Sequence, residues 1–227
     1  MINKLYKSIL FSILLSSIFC QVQNPTIGMF VDSGNSSMFT FDYESESLTD
    51  PNGNMTAMLY GGSYLLDGKV EFSVYYQTAI ATFDDLDSDF DQTMTLTGLG
   101  GKYYIKDSSL PFTPYVGAQY ASLSADSDWL SDNNIELTGI GSSFCGGIYK
   151  QVSTTESISI YGFITFTSAT INLTMKDNLG NSLEESDKSQ PLSFGCALKF
   201  KNGIALVPSI TQSDGDSSFN ILFGYSM

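Results

Sequence analysis

The chain has no histidine and no arginine among its 227 residues. Without imidazole it lacks the side chain best suited to general-base work near neutral pH, and without guanidinium it lacks the planar fork that grips phosphate and carboxylate. A Ser-His-Asp hydrolase or an imidazole-ligated zinc centre cannot be assembled from these residues. Cysteine is also scarce. Cys20 lies in an apolar N-terminal stretch, leaving Cys145 and Cys196, where a disulfide scaffold would carry many more. On the strand order below one whole strand separates the two, so they sit two strand spacings of about 4.8 Å apart, beyond disulfide reach. Basic charge is scarce against an acidic excess that gives a net charge of −14. Such a chain repels the phosphate backbone, so nucleic acid is not an expected partner. After residue 20 no apolar run nears the roughly 20 residues a transmembrane helix needs.

What is present begins with a leader. Lys4 and Lys7 precede an apolar stretch from Ile9 to Phe19, followed by Cys20-Gln21. This is the layout of a secretory signal peptide, residues 1–20, with 21–227 as a single mature domain. Cleavage would expose Gln21, and acylation of Cys20 in a lipoprotein is the competing reading.

The last nine residues are the most informative stretch. Phe219, Ile221, Phe223, Tyr225 and Met227 alternate with Asn220, Leu222, Gly224 and Ser226. Period two is the strand period, so the odd positions share one face. The same alternation recurs along the chain. Val70, Phe72, Val74 and Tyr76 oppose Glu71, Ser73, Tyr75 and Gln77, and Leu192, Phe194, Cys196, Leu198 and Phe200 oppose Ser193, Gly195, Ala197 and Lys199. Alternation and turn residues together predict ten strands near 36–44, 55–66, 69–81, 93–105, 112–123, 138–150, 155–170, 190–200, 203–212 and 217–227. Each reaches the length of about 9–11 residues that a tilted strand needs to cross a bilayer. In the fourth, Met94 and Leu96 take one parity and Leu99, Tyr103 and Ile105 the other, which a bulge at 98–101 would reconcile. Residues 26–31 read as a strand extension or an arm.

Connections alternate between short turns, such as Asp67-Gly68-Lys69 and Lys201-Asn202, and mostly longer, acidic ones at 45–54, 82–92, 124–137 and 171–190. This predicts an all-β fold, an antiparallel up-and-down transmembrane β-barrel of ten strands, with eight as the alternative, and both termini on the short-turn side. A soluble β-sandwich also alternates and is the competing architecture.

The segment Gly98-Leu99-Gly100-Gly101-Lys102-Tyr103-Tyr104, followed after a turn by Pro114-Tyr115-Val116-Gly117-Ala118, resembles a recurrent hairpin of the small outer-membrane β-barrel proteins of the OmpA/OmpW type. The terminal strand resembles the signal by which the outer-membrane assembly machinery recognises its clients, with Met227 where those end in an aromatic. The resemblance is one of architecture. It implies a porin-like barrel in the bacterial outer membrane, with membrane lipid and the assembly machinery as partners and a monomeric state, and it transfers no functional residue.

The inward-facing candidates are Glu71, Lys102, Lys199, Tyr75, Gln77, Gln119 and Tyr161. Buried charges require partners, so Glu71 is expected to have a lysine or tyrosine hydroxyls in reach, either as a hydrogen-bonded plug or lining a narrow channel. Asp85, Asp87, Asp89 and Asp91 alternate as calcium ligands do. However, Phe90 stands at the turn-glycine position of an EF-hand and Leu96 at its bidentate glutamate, which leaves a solvated acidic loop able at most to hold Ca²⁺ or Mg²⁺ loosely. No catalytic residue and no dedicated cofactor are expected. The functional expectation is a non-enzymatic outer-membrane barrel with a structural or surface role, or a narrow channel. The alternatives are a secreted β-sandwich or lipoprotein adhesin and, disfavoured by the absence of histidine, an outer-membrane enzyme.

Overall fold

The computed structural model describes residues 27–30, 34–49, 52–84, 91–107, 109–213 and 216–226. A helical turn, α1 (Ile27–Phe30), precedes the strands β1 (Ser36–Thr49), β2 (Asn52–Leu66), β3 (Val70–Phe83), β4 (Gln92–Tyr104) and β5 (Thr113–Asp126). A second short helix, α2 (Asp128–Asp132), leads to β6 (Glu136–Thr154), β7 (Ile158–Lys176), β8 (Ser182–Ser189), β9 (Leu192–Phe200), β10 (Ile204–Ser213) and β11 (Asp216–Ser226).

All pairings are antiparallel, and β1 pairs with β11 over Met38–Tyr43, so the sheet closes on itself. The eleven segments form ten staves. Both β8 and β9 pair with β7 in one continuing register, through Ala169↔Ser189 and Phe166↔Leu192. They are separated only at Gln190-Pro191, where proline has no N–H to give the ladder and the Pro191 carbonyl accepts from Thr167 N at 3.0 Å. The barrel is therefore ten-stranded, and neither the eight-strand alternative nor the sandwich describes it.

The exterior carries a belt of exposed apolar side chains on every stave, including Phe39, Tyr60, Val74, Leu99, Val116, Phe144, Ile164, Phe194, Ile210 and Phe223. A continuous apolar band of this kind needs an apolar solvent. Toward the end where β1 meets β2 and β7 meets β8, the pattern inverts. There the exterior holds Thr93, Thr95, Ser122, Ser124, Thr170 and Thr174, while Met55, Leu59, Phe83, Met94, Leu96, Leu123, Ile171 and Leu173 fill the interior as one apolar core. The staves β2 to β7 are thus apolar outside where they meet hydrocarbon and apolar inside where they stand in water, with no change of register at the level where the pattern turns over.

Four sequence expectations are corrected by this arrangement. No bulge occurs at 98–101, because β4 pairs in unbroken register with β3 and β5, and Met94 and Leu96 point inward. The register shift that does occur lies at Gln151/Ser153, between β6 and β7. The long connections expected at 45–54 and 171–190 are largely paired strand, since polar residues suffice wherever the outer face meets water. Within 26–31, the described residues Ile27–Phe30 form a helical turn lodged inside the barrel.

The caps follow from local chemistry. Asp67 and Gly68 both have positive φ, 50° and 68°, as a type I′ hairpin requires. Ser127 caps α2 by accepting from Leu130 N at 3.1 Å, which drives Leu130, 1 % exposed, down onto the apolar core as a lid. The β7–β8 turn is an Asx-turn in which Asp177 accepts from Leu179 N and Asn181 N at 2.9 Å each and from Asn181 Nδ2 at 2.7 Å. The Asn181 side-chain bond, followed by the backbone bonds, holds the Asp177 carboxyl below its usual range. A lowered folded value means the stabilisation is complete above the unfolded carboxylate range and is lost as pH falls through the folded value. Acidification below about pH 4 should fray Ser182–Ser189, read as loss of dispersion in their NMR amide shifts. Asp177→Ala should fray the same residues at neutral pH; unchanged shifts in both would show that the turn does not hold the hairpin.

Candidate functional site in the barrel interior

The strand period sends Glu71 of β3 and Lys102 of β4, directly paired across the ladder, into the interior at the barrel end where β1 begins. Their charges meet at 3.4 Å, with side chains 1 % and 5 % exposed. Tyr104, two residues beyond Lys102 and so on the same face, donates its hydroxyl to Glu71 Oε2 at 2.6 Å, and Gly28 N of α1 adds a third donor at 3.3 Å. A carboxylate this deep requires its lone pairs to be met, and these donors meet them.

The turn α1 is fastened at three more points. Tyr149 donates to the Gly28 carbonyl at 3.0 Å, and Lys199 donates to the Phe30 carbonyl at 3.1 Å. The Lys199 ammonium also lies 5.7 Å from the Phe30 ring centroid, and Phe30 packs edge-on against Tyr161 at 5.6 Å. Residue 28 must be glycine here, because a Cβ would fall within the Tyr104 ring. Around α1, Met38, Leu65, Tyr104, Tyr115, Tyr149, Phe163 and Val207 form a second buried core.

Between the two cores the interior is polar. Gln119 donates through Nε2 to the Tyr75 hydroxyl, Tyr115 bonds Thr165, and Ser193 and Thr211 share a hydrogen bond of 2.8 Å. Gln77 lies on the same ladder line as Asp42, with Leu59 between them. Each is 1 % exposed, and neither the Asp42 carboxylate nor the Gln77 amide has a partner among the described residues. Asp42 was not among the sequence candidates. The signal was its place between Phe41 and Tyr43, which puts an acid on the face opposite two aromatics.

All seven inward candidates thus lie inside. Glu71, Lys102 and Lys199 gather around α1 with Tyr161, Tyr75 pairs with Gln119 nearer the waist, and Gln77 stands apart from both groups. The acidic candidates fare differently. Asp85, Asp87 and Asp89 lie outside the described residues, while Asp91 accepts from Phe83 N at 3.1 Å, closing the β3–β4 connection. Cys145 is buried inside and Cys196 lies in the outer face, both as free thiols.

A closed antiparallel ten-stranded barrel with an apolar outer belt is the architecture of the small outer-membrane β-barrels that the β4–β5 hairpin resembles. In fold the chain is similar to the β domain of the Bordetella autotransporter BrkA, with a TM-score of 0.56 at 10 % identity over 86 % of this chain and 100 % of that one. The transport unit of the autotransporter AIDA-I from Escherichia coli gives 0.45 at 12 % identity over 98 % and 97 %. The outer membrane protein OprG from Pseudomonas aeruginosa gives 0.39 at 11 % identity over 86 % and 96 %. At these identities the likeness is one of fold alone. No protein-family profile matches the chain, and no curated protein matches it in sequence.

Proposed function

We propose that this protein is a non-enzymatic, non-conducting barrel of the bacterial outer membrane, exported by the leader 1–20 and inserted as a monomer. The end carrying α1 would face the periplasm, and the acidic hairpins would stand outside as its working surface. The observation that carries the non-conducting part is the filled interior. An apolar core under the α2 lid blocks one half, α1 with its aromatic shell blocks the other, and the void beside Glu71 measures only 20 Å³. That is room for about one water molecule. The chain has no histidine to activate a nucleophile, which supports the non-enzymatic reading.

In planar bilayers the purified protein, shown to be folded by heat-modifiable migration on a gel, should give no discrete conductance steps. A narrow channel is the second reading, favoured by Asp42 and Gln77, whose polar groups face the interior without a side-chain partner among the described residues. Reproducible unitary steps would establish it and remove the non-conducting one.

A further inference from the structure

Two apolar grooves of similar size run over the outer face. One, of 660 Å³, crosses β1 to β5 and is lined by aromatic, aliphatic, glycine and hydroxyl residues without a charged side chain. The other, of 640 Å³, crosses β6, β7, β9 and β10 and has a lysine in its lining. Both volumes fall in the range of about 300–1,000 Å³ typical of small-molecule sites.

The second groove follows from the ladder. Lys150 pairs across to Gly162, and Gly162 to Cys196. With Pro208 beside them, they make a low floor under the bulky ridge of Ile148, Ile164, Phe194, Ile210 and Phe219. Lys150, exposed on the outer face, stands at one end of this floor, four residues from the end of β6. That places an ammonium at the interfacial level of the barrel end that carries α1, with apolar relief leading away from it into the belt. A lysine in this position can reach the headgroup layer and is a point-charge phosphate binder.

We propose that this groove is a binding site for an anionic glycerophospholipid of the inner leaflet, its phosphate on Lys150 and one acyl chain along the floor of Gly162, Cys196 and Pro208. The proposal rests on the membrane reading above. Gly162 provides the means to block the site without unfolding the barrel. A Cβ built there meets only Val152 Cγ2, at 3.6 Å, and its φ lies outside the left-handed region.

The full-length protein would be reconstituted into bilayers of equimolar phosphatidylglycerol and phosphatidylcholine, and retained lipid counted by native mass spectrometry. Heat-modifiable migration would be checked for every variant. Phosphatidylglycerol should be retained over phosphatidylcholine by about fivefold, the preference expected from one lysine near a lipid surface. Lys150→Glu should abolish the preference and Lys150→Arg keep it. Gly162→Leu should remove the retained lipid, whereas Gly62→Leu, at an open position in the uncharged groove, should leave it bound. Equal retention of the two lipids by the wild type, or an undiminished preference in Lys150→Glu, would overturn the site while the folded barrel upheld the membrane reading. Recovery of the protein without lipid in the aqueous fraction would overturn both.

Discussion

Replacing Glu71 by leucine should lower the unfolding free energy by about 3–5 kcal/mol, the usual cost of breaking a buried ion pair from one side. Urea titration of protein folded into lipid vesicles would measure it. The loss arises from what the leucine leaves behind. Lys102 would lose its counter-ion with its side chain only 5 % exposed, and the Tyr104 hydroxyl and Gly28 N–H would lose the acceptor they share. Lys102→Met should cost less, about 1–3 kcal/mol, because the Glu71 carboxylate would keep the Tyr104 and Gly28 donors. The double variant Glu71→Leu/Lys102→Met should be more stable than Glu71→Leu alone, since removing both charges of a buried pair is often nearly neutral. The same series reports on function. A cost below about 1 kcal/mol for Glu71→Leu would mean that water reaches Lys102 and compensates it, which requires a hydrated interior and favours the narrow channel over the plugged wall.

The parts of the fold legible in the sequence were those where the two faces of a strand meet different solvents in one constant sense. In β3, Phe72, Val74 and Tyr76 face lipid and Glu71, Tyr75 and Gln77 face the interior, so alternation and burial tell the same story. In β4 the apolar parity changes from Met94 and Leu96 to Leu99 and Tyr103. A sequence reading takes that change for a bulge. Physically it marks the level at which the outer solvent passes from water to hydrocarbon, and the inner face changes in the opposite sense. The same inversion hid the upper part of β7, where Ala169, Ile171 and Leu173 are the buried set and Thr170, Asn172 and Thr174 look like loop. The charged interior was readable because a glutamate and a lysine on lipid-facing strands have only one side to go to. The lodging of α1 was not, since Ile27 and Phe30 are β-favouring residues and the groups that hold the turn, Glu71, Tyr149, Tyr161 and Lys199, are brought together only by closure.

Arginine at Val74 should destabilise the folded barrel by about 2–4 kcal/mol, whereas arginine at Thr93 should change it by no more than about 1 kcal/mol. Both side chains are exposed on the outer face, and neither substitution disturbs the interior. Val74 is 65 % exposed between Phe72 and Tyr76 in the middle of the apolar belt, so a charge there must be dragged toward an interface or drag water inward. Thr93 lies above the belt, paired across the ladder with Asp126, where a cation meets water and an acid. In water the two positions would be equivalent surface sites, and substitutions at both would fall within about 0.5 kcal/mol. Urea titrations in vesicles and in detergent separate the cases. A large penalty at Val74 in vesicles that shrinks in detergent identifies hydrocarbon as the solvent of the belt. Equal small effects at both positions would refute a membrane-embedded barrel, whatever its topology.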